Sequence, residues 1–85
     1  MRLIPTPNYE HAYQQLSSTT QRRVDRKLSL LLENPRHPSL RFRKMEGYEN
    51  IWEMRVSRNY RVTLLQSGED FYLRNVGTHD ILRNP

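Results

Sequence analysis

The chain is expected to fold as an α+β domain: a short N-terminal strand, a helical hairpin, then an antiparallel β-meander of about four strands, with the helices packed on one face of the sheet. Three observations carry that expectation. Apolar residues recur at helical spacing up to Asn34-Pro35, they alternate from Ser39 onward, and Gly, Pro and Asn cluster at the joints between segments.

Leu3 and Ile4 mark the first strand. Thr6-Pro7 reads as an N-cap with proline at the first helical position, Glu10 sits in the first turn, and Tyr9, Tyr13 and Leu16 follow at helical spacing. Ser18-Thr19-Thr20-Gln21 has the form of a capping box that opens a second helix with the apolar stripe Val24, Leu28 and Leu31. Its other faces carry Arg22, Arg23, Arg26 and Lys27. Asn34-Pro35 stops it, and Arg36-His37-Pro38 connects to the sheet. The first meander strand runs from Ser39 to Gly47, with Leu40 and Phe42 on one side and Arg41 and Arg43 on the other. Further strands are expected at about 51–56, 60–66 and 71–76, with Ser67-Gly68-Glu69-Asp70 as a turn. There is no repeat, low-complexity run or long linker, so residues 1–85 are expected to form a single domain.

A domain of this size buries only about two-thirds of its unfolded surface, so every apolar residue must be well placed. The absence of cysteine rules out disulfides and thiolate zinc sites and fits a cytoplasmic setting. The longest apolar run is Leu30-Leu31-Leu32, against the roughly 20 residues a spanning helix needs, so no membrane association is expected. Charge is more telling. Fourteen Lys and Arg face nine Asp and Glu, for a net +5, and the basic set is 12 Arg to 2 Lys. Arginine makes planar, forked contacts to phosphate or carboxylate, which directs attention to a nucleic acid or an acidic protein segment as partner.

The stretch EMRVSRNYRV (residues 53–62) locates such a contact by register. If Ser57, Arg58 and Asn59 form a three-residue hairpin loop, with Asn59 in the left-handed conformation, Val56 faces Tyr60 and Arg55 faces Arg61. Trp52, Met54, Val56, Tyr60, Val62 and Leu64 then share one apolar face; a two-residue loop would split that set. Two guanidinium groups are thereby placed side by side on the face away from the helices. Like charges opposite one another on a sheet cost roughly 0.2–1 kcal/mol. Either a carboxylate such as Glu53 neutralises the pair, or a bound anion does.

Arg41, Arg43 and Lys44 extend the basic face from the first meander strand, and Val76-Gly77-Thr78-His79-Asp80 delivers His79 near the sheet, with glycine allowing the backbone to bend. Histidine moves protons near neutral pH. Cleaving RNA without a metal needs a base for the 2′-hydroxyl, cations around the phosphorane and an acid for the departing 5′-oxygen. Arginines, a lysine and a histidine supply those roles. His11 and His37 have no neighbour at metal-ligand spacing, so neither metal nor other cofactor is expected.

Lys44-Met45-Glu46-Gly47, Trp52-Glu53-Met54-Arg55-Val56, Tyr60-Arg61-Val62 and Val76-Gly77-Thr78-His79-Asp80, in that order, resemble the RelE/ParE superfamily of bacterial toxins over nearly the whole chain. The resemblance implies the toxin of a type II toxin–antitoxin pair, inhibited by a cognate antitoxin that wraps around it. RelE-like members cut messenger RNA in the ribosomal A site, which makes ribosome and mRNA the implied partners. Carried over by position, Arg61 would hold the scissile phosphate, Arg55 and Lys44 would add positive charge, and His79 would be the general acid or base, as in YafQ-like members. Arg83 stands where many RelE-like enzymes have an aromatic residue; as a cation it is expected to contact RNA with Arg41 and Arg43, and either another aromatic such as Tyr48 or Tyr72 stacks on a base or the activity is altered or weak. A ParE-like toxin that inhibits DNA gyrase without cutting, or a non-catalytic basic module that binds ribosomal RNA or an acidic partner, would use the same fold.

Overall fold

A computed structural model describes residues 1–85. Thr6 caps the first helix as its sequence predicts, its hydroxyl accepting from the Tyr9 amide, and Pro7 opens α1 (Pro7–Gln14). The second helix, α2 (Ser18–Glu33), begins one residue earlier than the capping-box reading: Ser17 is the N-cap and accepts from the Thr20 amide. Gln21 is instead turned back to donate to the Tyr13 carbonyl at 2.9 Å, which ties the two helices into their hairpin.

Around them runs a five-stranded sheet in the order β1-β5-β4-β3-β2, with β1 (Leu3–Pro5), β2 (Arg43–Lys44), β3 (Ile51–Arg55), β4 (Tyr60–Ser67) and β5 (Asp70–Thr78). The last four strands pair antiparallel, and β1 lies parallel to β5. Tyr9, Val24 and Leu31 from the helices pack on Met54, Val62, Leu64, Leu73 and Val76 from the sheet. Trp52 is half-buried at the rim of this core, stacked on Phe42 at 4.6 Å and edge-on to Phe71.

The expected first meander strand is mostly absent. Pro38–Leu40 form a 3-10 turn, capped by the His37 imidazole accepting from the Ser39 amide, and Arg41 follows in the left-handed region with φ 43°. Proline at the first position of that turn favours a helical start, Leu40 is drawn into the core, and only Arg43 and Lys44 remain to pair with β3.

One irregularity decides which face β5 presents. Thr63 pairs with Asn75 but Leu64 pairs with Leu73, so Arg74 is an extra, bulged residue. The N-terminus of α1 holds the bulge in place: Thr6 Oγ1 donates to the Leu73 carbonyl and Asn8 Nδ2 to the Arg74 carbonyl. The bulge keeps Phe71, Leu73 and Val76 all in the core and turns Gly77 onto the opposite, helix-free face, opposite Arg61.

Candidate active site

The hairpin between β3 and β4 has the register deduced from its apolar pattern. Arg55 is directly opposite Arg61, Met54 opposite Val62, and Trp52 opposite Leu64. The means of turning differs from the expectation, because Asn59 is not left-handed; the non-glycine residues with positive φ are Arg41 and Asn50. Hydrogen bonds hold the bend instead. The Tyr60 carbonyl accepts from the amides of Val56 (3.0 Å) and Ser57 (3.4 Å). Arg61 Nη1 donates to the carbonyls of Ser57 (2.8 Å), Tyr60 (3.0 Å) and Arg58 (3.3 Å).

On the helix-free face a cleft of about 490 Å³ is lined by Arg41, Phe42, Arg43, Glu53, Arg55, Arg61, His79 and Leu82. Four arginines thus face one carboxylate. That carboxylate belongs to the buried Glu53, and it accepts from Arg43 Nε at 2.7 Å rather than from either member of the facing pair. The Arg61 guanidinium is bound only to backbone carbonyls, and Arg55 has no hydrogen-bond or ion-pair partner. Burial lowers the pKa of Arg61, and Arg55 beside it lowers it further; Glu53 opposes the shift, while Arg41 and Arg43 add to it. Arginine stays protonated in proteins, so the lowered value reflects a cation that is first partly desolvated and then crowded by other arginines, both of which an anion in the cleft would offset.

The end of β5 and the turn after it close the cleft. His79–Arg83 form a 3-10 turn, and the His79 amide donates to the Asn59 carbonyl at 3.0 Å, which ties the turn to the loop that braces Arg61. His79 is exposed and lines the cleft beside Arg55 and Arg61. Of the predicted site residues, Arg41, Arg43, Arg55, Arg61 and His79 therefore come together. Lys44 and Arg83 do not line the cleft. Lys44 pairs with Trp52, one residue out of phase with the Arg43–Glu53 pair, and borders a smaller hollow with Met45 and Glu46. Arg83 lies exposed at the far end of the C-terminal turn. No three His, Cys, Asp or Glu side chains converge on a point that could hold a metal ion.

Glu53 has a larger place than its sequence reading gave it, as a buried acid lining the cleft, and Phe42 and Leu82 are apolar walls not foreseen there. The signal for Glu53 was available: it shares the alternation of Arg55 on β3. Leu82 carried none, because the path of the terminal turn depends on the bulge in β5.

The backbone as a whole superposes on solved toxins. RelE in the RelB–RelE antitoxin–toxin complex from Methanococcus jannaschii matches with a TM-score of 0.76 at 15% identity, covering 95% of each chain. The chain has a RelE-like fold. YafQ from E. coli strain BL21(DE3) matches at 0.75 with 10% identity, over 96% of this chain and 98% of that one. The intact E. coli RelBE toxin–antitoxin complex gives 0.71 with 22% identity, over 91% and 94%. No family model matches the sequence. No curated protein matches it either. The likeness thus resides in the RelE-like backbone rather than in overall identity, as expected when a small core constrains pattern more than residue type.

Proposed function

We propose that this chain is the toxin of a type II toxin–antitoxin pair and acts as an endoribonuclease on ribosome-bound mRNA, cleaving by attack of a 2′-hydroxyl on the adjacent phosphate. The carrying observation is the Arg55–Arg61 pair, left without a carboxylate in a cleft that also holds His79. The RelE-like fold and the occurrence of similar chains in toxin–antitoxin complexes support the reading.

In this mechanism Arg61, fixed by three loop carbonyls, and Arg55 hold the non-bridging oxygens of the scissile phosphate. Arg41 and Arg43 contact the flanking backbone. As the 2′-oxygen loses its proton and bonds to phosphorus, the bond to the 5′-oxygen breaks and that oxygen takes up a proton. His79 is the general acid or base, and Glu53 is the other cleft side chain able to exchange a proton. The steps use the chain's own side chains, without metal or cofactor. A binding-only module would have no use for a titrating group beside two arginines. An antitoxin would silence the enzyme by covering this cleft.

The test is to induce the protein in bacteria and map new 5′ ends on translated messages. Cuts within codons, lost in His79→Ala while RNA affinity is retained, support the nuclease. DNA-damage signalling without cuts would replace it with gyrase inhibition, and wild-type cutting by His79→Ala would remove the histidine from the mechanism. General acid–base groups contribute about 10²–10⁴-fold, the range expected for the loss.

A further inference from the structure

His79 has little support of its own in the cleft. Its amide is bonded to Asn59, but its ring has no hydrogen-bond partner, so the ring sits wherever the 79–83 turn carries it. That turn rests on Gly77. A Cβ added there would lie 2.8 Å from Ile81 Cγ2, inside the closest contact side chains adopt. The backbone at 77 does not have positive φ, so space rather than conformation demands glycine. Ile81 fills the place that a side chain at 77 would take. In a 3-10 turn of about three residues per turn, a residue two positions earlier points to a different side, which leaves His79 facing the cleft while Ile81 faces the sheet.

We infer that Ile81, seated on Gly77, is the positioning residue for His79, an assignment that rests on the reading of His79 as the proton carrier. Gly77 is paired with Arg61 across β4 and β5, so the seat fixes the turn relative to the phosphate-holding arginine. The Asn59 carbonyl is the second anchor, in the same loop whose carbonyls brace Arg61. Phosphate cradle and proton carrier are thereby built on one frame.

Gly77→Ala would force Ile81 from 2.8 Å to at least the 3.4 Å of ordinary contact. A misplacement near 1 Å costs up to about 10²-fold in rate, so single-turnover cleavage is expected to fall roughly 10- to 100-fold with RNA affinity unchanged. Ile81→Ala removes Cγ2 without adding a clash and is expected to loosen the turn. The double variant Gly77→Ala/Ile81→Ala regains packing and is expected to cleave about tenfold faster than Gly77→Ala. Two readouts are independent of activity: the NMR shifts of the His79 ring and the hydrogen-exchange rate of the His79 amide. Gly77→Ala should move the ring signals and speed exchange, and the double variant should reverse both. Unchanged ring and amide in Gly77→Ala, or a double variant that behaves as the sum of the singles, overturns the seat. If Gly77→Ala does not fold, Ile81→Ala decides: faster exchange at His79 supports the seat and wild-type exchange overturns it. If the wild-type protein cuts no RNA, the ring and amide still test the seat, and only the nuclease reading fails.

Discussion

Replacing Arg55 by methionine should make the protein more stable and less active, two effects of opposite sign from one substitution. Arg55 stands directly opposite Arg61, and the one carboxylate lining their cleft, Glu53, is engaged by Arg43. Methionine keeps most of the aliphatic stem that packs along the strand but removes the charge. A like-charged cross-strand pair costs roughly 0.2–1 kcal/mol. For a domain this small about 1 kcal/mol moves the midpoint by about 4–8 °C, so Arg55→Met should raise Tm by roughly 1–8 °C at low ionic strength. The gain should shrink with added salt, since the screening length falls from about 10 Å at 0.1 M to about 3 Å at 1 M. Thermal unfolding followed by circular dichroism, at both salt concentrations, measures it. Cleavage should fall by about 10²–10³-fold, the usual cost of removing one donor to a developing anion. A lower Tm for Arg55→Met in dilute buffer, or a gain untouched by 1 M salt, refutes the account of the cleft as a strained pair awaiting an anion.

Arg61→Ala should abolish toxicity on induction and loosen the 57–60 loop, because the carbonyls of Ser57, Arg58 and Tyr60 each lose the hydrogen bond from Arg61 Nη1; faster amide exchange in that loop is the check, and full toxicity would reject its phosphate-holding role. Trp52→Ala should cost about 3–5 kcal/mol, a large share of the stability of so small a domain, through loss of the stack on Phe42 and the Nε1 bond to Gln66; a loss below about 1 kcal/mol in urea unfolding would contradict that packing. Asp70 is held below its ordinary pKa, first by the hydrogen bond from Arg2, so its contribution to stability is present above the unfolded-state value and disappears as pH falls through the folded one. Asp70→Asn should therefore flatten the acid limb of the stability–pH curve between those two values while leaving the neutral-to-alkaline limb unchanged in shape.

Alternation at 51–56 and 60–64 made the hairpin register legible because a slip of one residue would move every core side chain to the wrong face. The same logic made the facing arginines legible. The starts of both helices were legible to within one residue, with Ser17 rather than Ser18 capping α2, but α1 stops at Gln14, short of the Leu16 that its spacing included. The strand expected from Ser39 was overruled where Pro38 started a turn and the core took Leu40. Asn59 does not take the left-handed conformation that its place in the loop predicts, and hydrogen bonds to the Tyr60 carbonyl and from Arg61 hold the bend instead.

Local pattern alone determined the α+β order, the basic character and the side-by-side placement of Arg55 and Arg61, since each follows from spacing along one or two adjacent segments. Only the tertiary structure decided that Glu53 is committed to Arg43, that Lys44 and Arg83 lie outside the cleft, and that beyond a bulge at Arg74 Gly77 stands opposite Arg61, Ile81 seats on Gly77 and His79 lines the cleft. Those outcomes depend on contacts between residues far apart in the chain, where a bulge of one residue reverses a face and a missing Cβ determines what can pack. Spacing along the sequence does not encode that competition for space and partners.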